Sequence, residues 1–158
     1  MENTQAMCTS FLGEVLTATH NFGTAPIRAV TTADTFKAAL YLTTATVNAA
    51  TTAYSSSDEV SGTGYTPGGV AVTNATAPLA SNTSTTAGTA YWTPSASITY
   101  TTVTLTTAFD TVLIYNSTQS DKAVSVHTFG SQTITAGTFT LTMPTNNTST
   151  ALLRIATT

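Results

Sequence analysis

The 158-residue chain is the size of one ordinary domain, long enough to bury a core without metal or disulfide staples. Only 7% of its residues are charged, against about 25% in a typical soluble domain, while 41% are hydrophobic, a balance that argues against disorder. A net charge of −3, with Arg28, Lys37, Lys122 and Arg154 as the permanent cations, makes no basic stripe for phosphates, so nucleic acid is not an expected partner.

Polarity comes instead from threonine, about a quarter of the chain, whose branched Cβ suits a pleated strand and disfavours a helix. So few charges leave the surface without the usual means of staying soluble and monomeric, and much of it is expected to be covered by partners. Cys8 is alone, which excludes an intrachain disulfide; it is expected to pack as a small hydrophobe. The opening residues carry no cationic region and lead into no apolar run, so neither a secretory signal nor a membrane span is expected.

Along the chain, Thr9 or Ser10 can cap a short helix with Phe11, Leu12, Val15 and Leu16 at helical spacing. Gly13 weakens it and the residues from Thr17 to Thr19 end it. Residues 1–34 form this helix and an arm, and 35–158 form the β domain, a single domain overall. From Thr35 onward the period is two: Phe36, Ala38, Leu40 and Leu42 line one face of a strand, and Lys37 and Tyr41 the other. Further strands are expected at 70–73, 89–93, 98–107, 111–116, 123–129, 137–143 and 152–156. The last but one alternates inward Phe139, Leu141 and Met143 with outward threonines, ending at Pro144.

Turns are expected at 61–64, 67–69, 116–117, 129–131 and 136–137, and a long Ser/Thr/Ala/Asn loop at 73–88. Strands without alternating long helices predict an all-β fold: an antiparallel β-sandwich or jelly-roll-like module of about eight strands with one short N-terminal helix.

Chemistry is sparse. Asp58 and Glu59 are adjacent, so in an extended segment they point to opposite faces and make no acid/base pair. His20 and His127 have no Cys, His or paired carboxylates at metal-ligand spacing, so no metal site is expected. No Gly-x-Ser-x-Gly elbow is present, and the Gly62-Thr63-Gly64 and Gly68-Gly69 pairs precede a strand where a phosphate loop needs a helix. No catalytic residue and no cofactor is expected. Tyr91, Trp92 and Tyr100 offer either packing or a carbohydrate platform.

Several segments together resemble a family of small structural proteins of tailed bacteriophages. They are Ser10-Phe11-Leu12-Gly13-Glu14-Val15-Leu16 with His20-Asn21-Phe22, then Asp34-Thr35-Phe36-Lys37-Ala38-Ala39-Leu40-Tyr41. Thr52-Ala53-Tyr54 and Glu59-Val60-Ser61-Gly62-Thr63-Gly64-Tyr65-Thr66-Pro67-Gly68-Gly69 follow. The C-terminal half adds Leu113-Ile114-Tyr115-Asn116, Lys122-Ala123-Val124, Phe129-Gly130 and Gly137-Thr138-Phe139.

The resemblance implies a virion component without enzymatic activity, and a capsid cement or decoration protein is the leading expectation. Such a module sits on the capsid exterior, is made in the host bacterial cytoplasm, and has the major capsid protein and itself, as a homotrimer, for partners, with no membrane involved. A tail or head-to-tail component and a glycan- or receptor-binding module are the alternatives. Contact residues are expected at Phe11, Glu14 and Tyr65, with Trp92 as a further interface or glycan anchor.

Overall fold

The computed structural model describes residues 3–8, 11, 14–15, 19–20, 22, 33–74, 77–83 and 87–156. The fold is all-β and antiparallel: β1 (Ala6–Met7), β2 (Phe36–Leu42), β3 (Val70–Ala71), β4 (Leu79–Ala80), β5 (Thr89–Trp92), β6 (Ile98–Asn116), β7 (Lys122–Leu141) and β8 (Leu153–Ala156). Five strands form one sheet in the order β1-β7-β6-β2-β3, and three form a second in the order β4-β5-β8. Of the expected N-terminal helix, Phe11, Glu14 and Val15 are helical; Thr9, Ser10, Leu12, Gly13 and Leu16 lie outside the described residues, as does most of the expected loop at 21–34.

The long β6–β7 hairpin organises the molecule. The four segments expected at 98–107, 111–116, 123–129 and 137–143 belong to just two strands, because the ladder between them continues from the Asn116–Lys122 pair to the Ile98–Leu141 pair. The turns expected at 129–131 and 136–137 are therefore not reversals. Both sites are irregularities within β7: residues 129–131 stand against Asp110 alone, at the register shift between Phe109 and Thr111, and Ala136 has φ 47° beside the register shifts around Val103 and Leu105. A paired neighbour overrides local turn preference there, as tertiary context commonly does in strands.

These irregularities fold the ribbon back on itself. In the ladder Phe109 pairs with Gln132 and Tyr100 with Phe139, a separation of roughly 20 Å along a straight strand. Yet the Phe109 and Phe139 rings meet edge to face at 5.1 Å, and Phe129 and Phe139 approach to 5.2 Å. The open end of the hairpin also reaches β2, where the Tyr100 hydroxyl donates to the Ala38 carbonyl at 2.8 Å.

Strand β2 lies against the turn end of the ribbon, from Phe36 opposite Asn116 to Leu42 opposite Phe109. Of the expected inward face, Phe36, Ala38 and Leu40 are buried and Leu42 is half-buried, while Ala39 and Tyr41 on the other face are buried as well. The segment 43–69 covers that second face: the Tyr41 hydroxyl donates to the Ser55 carbonyl, and Val60 and Leu40 are joined backbone to backbone. The small sheet attaches through Trp92, which pairs with Leu153 in β8 and packs on Phe22 and Phe36, ring centroids 4.7 and 6.1 Å away.

Candidate functional site

Phe11, Tyr65 and Trp92, expected as outward anchors, have their side chains committed within the chain. Phe11 is 2% exposed, against His20 and Phe22. Tyr65 stacks on Tyr100 at 5.9 Å and accepts a hydrogen bond from the Leu40 backbone N–H at 3.0 Å. Trp92 is 2% exposed and its indole N–H donates to Asn74 Oδ1 at 2.9 Å. Asn74 in turn donates to the Phe22 carbonyl at 2.7 Å. Tyr91 and Trp92 are neighbours in β5, the first half-buried and the second buried, and both line a small apolar groove with Phe22, Leu153 and Ile155.

Glu14, the fourth expected contact residue, anchors a polar chain beneath the N-terminal segment. Its carboxylate accepts from the Lys122 ammonium and, at 2.7 Å, meets His20 Nε2. His20 Nδ1 lies 3.0 Å from the Asn116 amide nitrogen, which also donates to Asp34 Oδ2 at 2.8 Å. Gln119 donates to the other Asp34 oxygen at 3.1 Å, and Asn116 Oδ1 accepts the Thr118 and Gln119 backbone N–H groups. The arrangement fits a neutral His20 with its proton on Nε2, donating to Glu14 and accepting from Asn116. Burial pulls the His20 pKa below its ordinary value, with the Glu14 hydrogen bond opposing it. Glu14 sits below its ordinary value: burial pushes it up, but the Lys122 and His20 hydrogen bonds and charges prevail.

A second cluster centres on Glu59, read from sequence only as a neighbour of Asp58. Its carboxylate accepts from the Tyr54 hydroxyl at 2.6 Å, the Tyr65 hydroxyl at 2.7 Å and the Gly68 N–H at 2.8 Å. Tyr115 donates to the Gly68 carbonyl at 2.8 Å and stacks on Tyr54 at 4.8 Å. The glycines let the loop lie flush on the strands: a Cβ on Gly69, at φ 74°, would stand 1.7 Å from the Ala38 carbonyl oxygen. The Gly-rich motif thus holds the chain to itself. Tyr54 and Tyr65 placed around an acidic Glu-Val-Ser-Gly-Thr-Gly segment were its sequence signal.

His127 meets Ser125 Oγ at 2.8 Å and no carboxylate, so the two do not extend into a triad. Burial lowers its pKa to about 4, which keeps it neutral. Cys8 is fully buried, and burial together with the Glu14 charge raises its thiol to about 11, leaving it protonated and unreactive. Among the described residues no three His, Cys, Asp or Glu side chains gather as metal ligands, and no helix is long and apolar enough to cross a membrane.

What the chain does present is an open strand edge. Strand β1 pairs with β7 only at Ser125 and Val126. Beyond it, among the described residues, no strand adjoins the outer edge of β7 to its end at Leu141. Residues 130–133, 135–136, 138 and 140 are exposed. No Asp, Glu, Lys or Arg occurs between Lys122 and Arg154, and no Pro before Pro144. Comparison with protein-family models, with curated proteins and with solved structures returned no match.

Proposed function

We propose that this chain is a non-enzymatic virion structural protein, a capsid cement or decoration protein that spans seams between major capsid proteins on the outside of the shell. The observation that carries the reading is the outer edge of β7 beyond Thr128. It is exposed, long and free of charge, and it lacks the lysines, prolines and cover with which strand edges of solitary proteins are guarded. A surface of that kind is finished by a neighbour. The likeness of the Ser10–Leu16, Asp34–Tyr41 and Glu59–Gly69 motifs to small phage structural proteins supplies the setting, a virion shell, in which that neighbour is met.

In this reading the two sheets and the folded ribbon make a sandwich of jelly-roll character. The buried networks around Glu14 and Glu59 keep it stiff, so that its contacts are presented without an ordering cost. Stabilisation follows from mass action: a protein that binds the assembled lattice and not its parts favours assembly, and contacts repeated over several capsid subunits add avidity. Particles assembled with and without the protein test this. Shells that lack it are expected to lose resistance to heat and osmotic shock, and complete particles to carry on the order of hundreds of copies. Unchanged resistance overturns the cement role, and about six to a few dozen copies per particle point instead to a tail or head-to-tail component.

A further inference from the structure

The free edge of β7 has a second property that bears on which strand completes it. Read outward from Ile134, its sequence repeats in both directions at three of six positions, with Gln132 against Ala136 and Gly130 against Thr138 as the mismatches. Thr133 and Thr135 flank the centre, small residues Ser131 and Gly137 stand three positions away, Phe129 and Phe139 five, and Thr128 and Thr140 six. An antiparallel pair of identical strands about a two-fold axis matches each position with its mirror position. On this edge that matching puts Phe with Phe, Thr with Thr and Ile134 with its own copy, and sets no charge or proline against the partner at the unlike pairs Gln132–Ala136 and Gly130–Thr138.

We propose that the outer edge of β7 pairs antiparallel with β7 of a second copy of this chain, in the register that sets Ile134 opposite Ile134. Three observations besides the symmetry favour a second copy as the occupant. The edge carries no charge, so two copies meet without the like-charge repulsion that opposes most self-pairing edges. Its threonines are the residues that pair well across strands in either partner. The irregularity at Ala136 lies beside the symmetry centre, so both ribbons bend at the axis and each folded ribbon continues into the other. The half-buried Phe129 and Phe139 of one copy then extend the aromatic row of its partner, deepening the burial of rings that already contact Phe109. The pairing concerns this edge alone and holds independently of which shell the protein binds.

The register makes the inference testable in the purified full-length chain. Directly opposed residues in an antiparallel pair have Cα atoms about 4.5–5.5 Å apart, within the span a disulfide bridges. Ile134→Cys is expected to give a covalent dimer under mild oxidation, while Ser57→Cys, exposed in the loop on the far side of β2, stays unlinked. Position 133 of one copy faces position 135 of the other, and both are exposed. Thr133→Lys with Thr135→Lys therefore opposes lysines twice and is expected to weaken self-association roughly tenfold or more by sedimentation equilibrium. Thr133→Lys with Thr135→Glu carries substitutions of similar size but opposes Lys to Glu twice, and is expected to restore the dimer. A wild-type chain that sediments as a monomer throughout overturns the proposal. So does a trimer in which the thiol introduced by Ile134→Cys stays reduced, or a Lys/Glu variant that associates no better than the Lys/Lys one.

Discussion

The two ends of the β6–β7 ribbon are built from similar residues and treated in opposite ways. Near its turn, β2 and β1 flank the ribbon, the segment 43–69 covers β2, and two polar clusters centred on Glu14 and Glu59 bolt the surrounding chain to it. Beyond Thr128 the same strands keep their pairing with each other but lose flanking strand and cover on the β7 side. The first end is complete within one chain, whereas the second has the alternation of a sheet interior and the surroundings of an edge. Solitary proteins guard such an edge, so the contrast separates the part that closes the fold from the edge that the fold leaves open.

The sharpest way to break the contrast is at Gly69. Alanine there places a methyl carbon against the Ala38 carbonyl and asks an L-residue to hold φ 74°, with the Ala38 and Ala39 backbone as its nearest neighbours and no flexible side chain to yield. Gly69→Ala is expected to cost about 4 kcal/mol, a fall in the thermal midpoint on the order of 10 °C. Circular dichroism on melting checks it. An unchanged midpoint means that the loop does not lie on β2.

Asn116 comes next. It is fully buried and its side chain holds four partners, so Asn116→Ala takes a donor from His20 and Asp34 and an acceptor from two backbone N–H groups. The expected loss is about 3 kcal/mol in urea unfolding. Asn116→Asp, which keeps the acceptor but sets a carboxylate against Asp34, is expected to be no better.

A smaller effect follows from pH. Burial lowers the folded-state pKa of His127 to about 4, below the ordinary value of 6.5 that the unfolded chain has. The unfolded chain therefore takes up the proton first. The stability that comes from keeping His127 neutral is complete above about pH 6.5, falls as the pH drops, and levels off below about 4. Between pH 7 and pH 5 the expected loss is about 2 kcal/mol, and His20, shifted in the same direction, adds to it. His127→Gln is expected to flatten that slope. A slope unaltered by the substitution would assign the acid sensitivity to other groups.

How much of this was legible in the sequence depends on how local the cause was. The inward Phe36, Ala38 and Leu40 of β2 and the alternation of Phe139 and Leu141 follow from period two, whereas the burial of Ala39 and Tyr41 comes from the segment 43–69 and was not visible. The continuity of β6 and β7 was hidden, because Gly130 and the Ala136-Gly137 pair carry turn chemistry, and only the opposing strand carries the ladder past them as irregularities instead of reversals. Tyr65 and Trp92 were visible as anchors, but composition does not say whether an aromatic anchor serves its own chain or another. The Glu14–His20–Asn116–Asp34 chain joins residues up to 108 positions apart when Lys122 is included, and no window of sequence contains it. The charge-free stretch after Lys122 was in plain view, but nothing local in it told that it would lie on an edge that the fold leaves open.

The smallest expected effect sharpens the comparison most, because it pairs with the largest. Gly130 lies in the outer half of β7, exposed, and a Cβ built on it meets nothing within 4 Å. Glycine inside a strand forfeits entropy and packing. Gly130→Ala is therefore expected to change the stability of the isolated chain by no more than about 0.5 kcal/mol, and if anything to raise it. The same methyl group is thus near-neutral at one end of the ribbon and costs about 4 kcal/mol at the other. Should Gly130→Ala melt the chain as Gly69→Ala does, the edge of β7 is covered within the chain, and the outer half of the ribbon belongs to the same closed core as the inner one.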